Sequence, residues 1–421
     1  MPAITSTRII APETAALLLL GALDIVGLRA ELPLPVWTAI ANLFWLCALV
    51  ALVADLAARS WSSRVRGIAV GAALVLLLGV TTVAFVALRR ASGPVAFVHD
   101  NAILIEEGVR ELRAGSNFYA VDYLGTPLQQ WQGGQFYDAS SNTWFANPAL
   151  FHYITLPFYT VASAGVAMVS EPILGFYDQR ITHLAALALL AAAAWTLPRR
   201  KQDRLAYLVV LLANPFAVAA VTMGTSDTFV LAFLVAAAAA FAAGRGSAGA
   251  VALALAATSK QTAWLVIPFL AAYWWWEHPR QRRQLWLLPA VAAIITAPFA
   301  LWNWSAFWDD VYRYPAGLLP TSYPIYGLGL SVLLQLLGWP SSPRAYFPYG
   351  MLQLMVVIPL LSLLLWWQRR DNDLSRALAG SAALLLAFWW LSRFFNENYV
   401  WVIIALLATA WVRRPAPAQT S

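Results

Sequence analysis

The chain has 421 residues, of which 61% are hydrophobic and only 11% are charged. Soluble globular proteins carry roughly 25% charged residues, so this composition excludes an ordinary soluble protein and indicates one built for lipid. The formal net charge of +7 is attributed to arginines on the cytoplasmic side rather than to a nucleic-acid-binding patch, so no nucleic-acid partner is expected.

Apolar runs of about 17–25 residues recur along the chain, and each is long enough to cross a hydrocarbon core of about 30 Å. The 21 tryptophans fit belts at the two membrane interfaces. We therefore predict an all-α fold, a polytopic transmembrane helical bundle of about 11 to 13 segments in a single integral membrane domain, 1–421. The runs lie at 13–30, 36–56, 66–88, 148–168, 180–197, 205–222, 226–243, 248–276, 284–302, 346–367, 374–392 and 397–412.

Basic clusters predict the orientation, because lysine and arginine favour the cytoplasmic side of a membrane. Placing all of them inside leaves four stretches outside. Each of the stretches 148–197 and 324–367 then needs an odd number of crossings, but two apolar runs are counted in each stretch. One of the two runs in each stretch is therefore expected to be re-entrant or interfacial. The outside stretches are 89–147, the turn 224–227, 303–323 and 392–398.

The first apolar run is expected to be retained rather than removed as a signal peptide. It contains Asp24 and passes directly into a second run, unlike a cleavable signal. Asp24 is assigned no role, although an unpaired charge within a span is costly. Cys47 is the single cysteine, so no disulfide or cysteine-based zinc site can form, and it is expected to be a small buried hydrophobe.

The first outer loop, 89–147, is too long to be a simple connector, and such loops are usually functional. Its acidic residues lie between long apolar runs, and because charge is costly inside a bilayer, they should lie at the membrane edge or in a wet cavity. Residues 100–113 combine apolar and charged side chains, which predicts a juxtamembrane helix along the interface that stops at Gly115. The acidic residues are Asp100, Glu106, Glu107, Glu111 and Asp122.

The second outer loop, 303–323, lies in an aromatic-rich stretch. Aromatic faces with a few hydrogen-bonding groups could grip a pyranose or an isoprenoid, and an interfacial aromatic belt is an equally good explanation. Asp309 and Asp310 could hold a divalent cation, although a solvated pair is favoured. No cofactor is otherwise predicted, because no group of His, Asp and Glu has metal-ligand spacing. His152 and His183 are expected to be hydrogen-bonded core groups.

Four short stretches carry a family resemblance through their order and spacing. They are Asp100 with the G-x-N-x-Y end of its helix (Gly115, Asn117, Tyr119), then Asn147-Pro148 with Pro157, then Pro215 with Gly224-Thr-Ser-Asp227, Lys260 and Ile267-Pro268, and finally Asn396-Glu397-Asn398-Tyr399. The sequence resembles the GT-C superfamily of integral membrane glycosyltransferases, and is most similar to bacterial polyprenyl-phosphate-mannose-dependent mannosyltransferases. It departs from the family where His99-Asp100-Asn101 replaces a D-x-D or D-E pair.

The resemblance implies transfer of a sugar, most simply mannose, from a polyprenyl-phosphate donor to a lipid-linked or glycan acceptor at the outer face, with inversion. In the family, the base that takes the acceptor proton is an acidic residue of the first outer loop, which falls on Asp100. Capping of the following helix is the alternative for Asp100, and the two roles can coexist. The residues implied as substrate contacts are Asn117, Tyr119, Asp227, Glu397, Asn398 and Tyr399.

Lys260 and Arg393 are the predicted cations for the donor phosphate. Lys260 is one of only two lysines, and if the arginines that flank its hairpin are inside, it reaches the outer half of the membrane. Snorkelling is the alternative for Lys260, and an ion pair with Glu397 is the alternative for Arg393. For Asp227, N-capping of the next helix is the favoured alternative to substrate contact.

A secondary transporter or flippase of lipid-linked sugars is the alternative function, and a non-catalytic membrane subunit is a third. Transporters often carry internal repeats and midplane charge, whereas this sequence shows no fixed repeat and its acidic residues cluster in an outer loop. An enzyme is therefore favoured, surrounded by the lipids of a bacterial cytoplasmic membrane. The enzyme hypothesis requires Asp100, Lys260 and Arg393 to converge on one outward-facing cavity that opens sideways to lipid.

Overall fold

The chain folds almost entirely into helices. This computed structural model describes residues 10–57, 59, 61–138 and 142–415, which form twenty α-helices and two pairs of short strands. The prediction of an all-α, polytopic helical protein is confirmed. The predicted domain 1–421 and outer loop 89–147 each include some residues that lie outside this described set.

In the N-terminal half, prolines stand at helix starts. Pro12, Pro157 and Pro215 each occupy the first turn of a helix, where the missing N–H would have been unpaired. The helices are α1 Pro12–Glu31, α2 Leu34–Ala57, α3 Ser62–Leu74, α4 Thr81–Ser92, α5 Asp100–Arg113, α6 Pro127–Gln130, α7 Pro157–Leu174, α8 Gln179–Thr196, α9 Arg204–Leu212 and α10 Pro215–Met223, with a π-helical segment Val75–Val80 and 3-10 turns Trp131–Gly134, Pro148–Leu150 and Lys201–Asp203.

In the C-terminal half, α11 is the central element. It is apolar on all sides, as expected for a helix enclosed by others, and it packs against α8, α12 and α20. The elements are α11 Asp227–Ala242, α12 Gly246–Ala257, α13 Ile267–Glu277, α14 Leu287–Trp302, α15 Trp304–Trp308, α16 Tyr314–Ala316, α17 Leu330–Leu336, α18 Tyr349–Arg370, α19 Leu374–Trp390 and α20 Asn398–Arg413, with 3-10 segments Gln261–Leu265 and Pro279–Trp286, a π-helical turn Asp309–Arg313, and strands β1 Gln135–Asp138, β2 Thr143–Ala146, β3 Tyr326–Gly327 and β4 Phe394–Phe395.

Among the described residues, four helices are long and apolar enough to cross a membrane, and a bent pair could form a fifth span. The four are Leu34–Ala57, Ser62–Ser92, Pro279–Trp302 and Tyr349–Arg370, and the pair is Lys201–Leu212 with Pro215–Met223, bent by 59°. Fewer helices thus meet this length than the 11 to 13 segments predicted, because several of the apolar runs are interrupted.

Two of these runs are interrupted at polar residues, and a third becomes helical only at a proline. The run 205–222 breaks at Asn214, whose side chain accepts a hydrogen bond from Ala217 N at 3.0 Å and so begins α10. The run 248–276 breaks at Lys260, which has an extended backbone between α12 and a 3-10 turn. The run 148–168 becomes α-helical only at Pro157. The break at Lys260 and the segment before Pro157 place non-helical backbone where side chains can face a cavity.

The predicted juxtamembrane helix is present as α5, with the bounds Asp100–Arg113. Gly115 follows it with a φ of 80°, a left-handed conformation that ends the helix as predicted. The helix does not lie freely along an interface, because Ile103, Ile105 and Val109 are buried against α7 and α8. Its position is therefore fixed by packing.

A buried network of four charges holds α5 in place. The Arg89 guanidinium donates to both oxygens of Glu106 at 2.7 Å and to Asp178 Oδ2 at 2.9 Å. Asp178 in turn accepts from the Nε and Nη2 atoms of Arg180, each at 2.8 Å, and Arg180 is fully buried. The network joins the end of α4 and the start of α8 to α5, so it orients the helix that begins with Asp100.

Candidate active site

A cavity of about 770 Å³ brings together segments that are far apart in the sequence. Its lining comes from the start of α5, the break at Lys260, the second outer loop, α18 and the segment that precedes α20. The parallel pairing of β3 with β4 joins the stretch that follows the second outer loop to the segment that precedes α20. The predicted site residues in the lining are Asp100, Lys260, Arg393, Glu397, Asn398 and Tyr399.

Asp100 is the first residue of α5 and is 8% exposed. Its Oδ1 lies 2.7 Å from His99 Nδ1, and its Oδ2 accepts from Asn147 Nδ2 at 3.4 Å. The cap position belongs to His99, whose Nδ1 also lies 3.1 Å from Asn101 N. Asp100 itself lies in the first turn, where its carboxylate favours the helix dipole and the Asn101 backbone N–H, so a role at the helix start is compatible with a second role in the cavity.

The His99 and Asp100 pair sets the charge of both groups. Burial alone would raise the pKa of the Asp100 carboxyl, but the adjacent His99 imidazolium and the Asn147 amide outweigh burial and lower it. For His99, burial opposes protonation, yet Asp100 and the more distant Glu397 raise its pKa. A protonated Nδ1 donates to Asp100, and an unprotonated one caps α5. Asp100 is thus held as a carboxylate facing the cavity.

Lys260 projects over an acidic residue of α11. Its Nζ lies 2.9 Å from Asp227 Oδ1 and 4.7 Å from the centre of the Tyr399 ring, and its side chain is 14% exposed. Asp227 is fully buried and also accepts from the Asn398 side chain. Asp227 is the first residue of α11 but pairs with Lys260 instead of capping the helix. Asp227 therefore lies behind the cavity lining, and Lys260 is the group that faces the cavity.

Arg393 lines the cavity, but its guanidinium forms hydrogen bonds with carbonyl groups of the protein. It donates to the carbonyl oxygens of Tyr323, Pro343 and Ala345, the last two at 2.9 and 2.8 Å. Burial lowers the pKa of the guanidinium to about 10. The predicted alternative, an ion pair with Glu397, does not form in the described structure. Arg393 thus fixes two segments outside the helices, and no carboxylate of the described residues pairs with its positive charge.

Two predicted substrate contacts lie away from the cavity. Asn117 Oδ1 accepts from Tyr119 N at 3.1 Å, and the Tyr119 hydroxyl donates to Thr155 O at 2.7 Å. Tyr119 packs in a cluster with Phe118 and Tyr153. The G-x-N-x-Y motif thus builds the loop that follows α5, and neither side chain belongs to the cavity lining. Contact of these two residues with substrate stays a prediction.

His152 and Asp310 form a pair that the sequence did not indicate. His152 Nδ1 lies 2.7 Å from Asp310 Oδ1, and its Nε2 lies 2.6 Å from Thr321 Oγ1. Asp310 Oδ2 accepts from Tyr153 N at 2.8 Å, and burial raises the pKa of this carboxyl. The two residues are 158 positions apart, so no local pattern could pair them. His152 lines the cavity and is a hydrogen-bonded core group, as predicted.

Asn147 is a second site residue to which the sequence reasoning gave no role. Its side chain is fully buried, donates to Asp100, and accepts from Ala149 N at 2.9 Å. The signal was present, because Asn147-Pro148 belongs to one of the four motifs, but no pattern linked it to Asp100. Asn147 positions the carboxylate through a hydrogen bond.

Asp309 and Asp310, for which a solvated pair was favoured over a divalent-cation site, contact different side chains, and Asp310 is buried. Asp309 pairs with Arg313 at 2.8 Å, whereas Asp310 faces His152. Among the described residues, no group of three or more His, Cys, Asp or Glu side chains could hold a metal ion. These two carboxylates therefore have separate protein partners, His152 and Arg313.

One flank of the cavity is apolar and reaches the outside of the bundle. Trp264, Met351 and Leu354 line it and are 48%, 65% and 60% exposed, respectively. The most apolar stretch of α18, which carries two of them, is not enclosed by other helices. In a membrane protein, such a face contacts lipid. The charged end at Asp100 and Lys260 and this apolar flank belong to one continuous cavity.

Part of the chain is similar to a known protein family. Residues 112–276 match the family described as alpha-(1->6)-mannopyranosyltransferase, N-terminal domain. This segment contains Asp227 and Lys260 but ends before Arg393 and begins after Asp100. No curated protein matches the sequence significantly. The match supports the predicted mannosyltransferase-like character for residues 112–276.

A solved structure gives a further likeness. It is the crystal structure of ArnT from Cupriavidus metallidurans bound to undecaprenyl phosphate, with 17% sequence identity and a TM-score of 0.47. The aligned region covers 80% of this chain and 59% of ArnT, so the chain spans about three-fifths of the length of that protein.

Proposed function

From the mannosyltransferase-like segment and the cavity beside it, we propose that the protein transfers mannose from a polyprenyl-phosphate donor to a hydroxyl of a lipid-linked or glycan acceptor. The reaction takes place at the outer face of a bacterial cytoplasmic membrane and inverts the anomeric centre. The observation that carries this proposal is that a carboxylate, Asp100, and an ammonium, Lys260, line one cavity that continues to an apolar flank.

Asp100 is the base in this reaction. Its carboxylate takes the proton of the acceptor hydroxyl as the oxygen attacks the anomeric carbon, and a new C–O bond forms on the face opposite the leaving group. The bond from the anomeric carbon to the phosphate oxygen breaks, and its electron pair leaves with polyprenyl phosphate. Because a phosphate leaves readily, one carboxylate is sufficient, which suits a site with Asp100 alone in place of the usual acidic pair.

Lys260 binds the phosphate as negative charge develops on it. Asp227 and Tyr399 hold the ammonium in place, and the partial exposure of Lys260 leaves donors facing the cavity. Arg393 attracts the phosphate at longer range. Its guanidinium hydrogen-bonds to carbonyl groups, and no carboxylate among the described residues cancels its positive charge. Two cations therefore line the same cavity as the apolar flank.

The apolar flank suits the isoprenoid chain of the donor. Trp264, Leu354 and Val357 line it, and the outward-facing part of α18 gives the chain a path to lipid. A donor that remains in the bilayer can then present its phosphate to Lys260 and its sugar to Asp100. One cavity thus offers a carboxylate, an ammonium and an apolar surface, the three kinds of group that a donor of sugar, phosphate and lipid requires.

The test is a transfer assay with purified protein in lipid nanodiscs and radiolabelled polyprenyl-phosphate mannose. We expect transfer by the wild type and a loss of about 10²- to 10⁴-fold in Asp100→Asn. Asp122→Asn is the matched control, because Asp122 is an exposed carboxylate of the same outer loop outside the cavity. Full activity of Asp100→Asn would place the base elsewhere. Movement of the donor across a bilayer without transfer would instead indicate the flippase alternative.

A further inference from the structure

A second cavity of about 230 Å³ lies beside the first, between the two outer loops. Its walls include Trp144 and Phe145 of β2, Phe151, Thr321 and Arg344. We propose that it is a subsite for one neutral sugar ring of the acceptor glycan, a ring separate from the one that reacts at Asp100. This inference rests on the proposed function and extends it to the acceptor.

The chemistry of the walls fits a sugar ring. A pyranose has an apolar C–H face and a rim of hydroxyl groups, so it needs a flat apolar surface with a few polar groups at the edge. Trp144 is 61% exposed and provides such a surface. The cavity is smaller than the roughly 300–1,000 Å³ of sites for drug-sized ligands, which suits a single ring.

Arg344 supplies the polar edge. Its guanidinium lies 5.2 Å from the centre of the Phe145 ring and donates to Pro320 O at 3.3 Å. Among the described residues this is its one hydrogen bond, so further N–H groups remain for ligand hydroxyls. The walls contain no carboxylate among the described residues, and a single aromatic-stacked arginine fits a neutral ligand.

The segment 147–152 connects the two cavities. Pro148 and Phe151 face the small cavity, whereas Ala149 and His152 face the large one. His152 reaches across this wall to Thr321, a residue of the small cavity, at 2.6 Å. Asn147, at the start of the same segment, donates to Asp100. A glycan with one ring in the small cavity therefore has its neighbouring units beside the proposed base, so the enzyme should prefer acceptors of more than one sugar.

The experiment compares mannose-terminated acceptors of one, two and three sugars in the nanodisc assay. We expect Trp144→Ala and Arg344→Ala to raise the KM for the longer acceptors about tenfold or more, while the KM for the donor stays unchanged and so reports an intact fold. Trp286→Ala is the matched control, because it removes an indole that is 74% exposed and lines neither cavity. An unchanged KM for every acceptor length would overturn the inference.

A binding measurement separates this inference from the proposed function. Saturation-transfer NMR with mannotriose on the wild type, on Asp100→Asn and on Trp144→Ala requires no turnover. Binding that survives Asp100→Asn but is lost in Trp144→Ala supports the subsite, even if no donor is turned over. Transfer by the wild type together with equal mannotriose binding in Trp144→Ala would reject the subsite and leave the proposed function intact.

Discussion

Lys260 and Asp227 form an ion pair of 2.9 Å across 33 residues of sequence, and the two partners differ in exposure. Asp227 is fully buried, whereas Lys260 is partly open to the cavity. The acidic partner therefore stabilises a cation that is still able to meet a ligand. This asymmetry allows the structural and the binding roles of Lys260 to be measured separately.

Lys260→Met should remove both roles. It leaves the Asp227 carboxylate buried without its cation, which costs about 3–5 kcal/mol of unfolding free energy. The double variant Lys260→Met with Asp227→Asn removes the uncompensated charge, so it should recover most of the stability but not the affinity for the donor. Unfolding in mixed micelles and donor binding are the two measurements. Donor binding that returns together with stability would show that Lys260 acts only within the fold.

The pH dependence of transfer should reflect the pairing of His99 with Asp100. A base must be ionised, and His99 lowers the pKa of the Asp100 carboxyl, so the wild type should stay active down to a pH at which an ordinary aspartate begins to protonate. His99→Asn removes the imidazolium but keeps a good helix-capping residue. Burial raises the pKa of Asp100, and without the imidazolium this effect is less opposed, so the pKa should rise. The acidic limb of the kcat/KM profile should therefore move toward neutral pH.

His278→Asn provides the control for this profile, because His278 stacks on Trp274 and lines neither cavity. It should leave the acidic limb where it is in the wild type. If His99→Asn also leaves the limb unchanged, Asp100 is not the group whose ionisation limits the rate.

Local patterns were sufficient to predict some parts of this molecule. The bounds of α5 follow from a mixed apolar and charged stretch that ends at Gly115, and the structure agrees with them. Lys260 stood out because lysine is so rare in the sequence, and the structure places it in the cavity lining. In both cases the information lies in the segment itself.

Contacts between distant segments were not predictable in this way. In the sequence, Asp310 is one of two adjacent aspartates, yet its side chain contacts His152, which lies in another loop. Asn117 and Tyr119 have the right motif and sit next to the right helix, but their side chains satisfy backbone groups. Hydrogen bonding in the folded chain decides which polar residues face the cavity, and periodicity carries no information on that choice.

The buried charge network should be far more important for stability than an exposed ion pair. Asp178→Asn removes a carboxylate that contacts both Arg89 and the fully buried Arg180, so it should cost about 3–5 kcal/mol. Asp371→Asn is the matched control, because Asp371 is 65% exposed and pairs with Arg376, and it should cost less than about 1 kcal/mol. Unfolding in mixed micelles compares the two. Equal costs would mean that the network does not anchor α5.

The apolar flank should discriminate between donors by the length of their lipid chain. Val357 is 9% exposed and lines the cavity, so Val357→Trp should fill the path of the isoprenoid and weaken binding by about 1–3 kcal/mol, or roughly 5- to 150-fold. A donor with a short prenyl chain that ends before this position should be affected much less.

Leu363→Trp is the control for this comparison, because Leu363 lies on the same helix, is 56% exposed and is not part of the lining. Leu363→Trp adds the same indole to the lipid-facing side of α18 and should leave kcat/KM unchanged for both donors. The measurement is kcat/KM for the long and the short donor in each variant. An equal loss for both donors in Val357→Trp would argue against a lipid path along α18, because a general distortion of the cavity does not distinguish chain lengths.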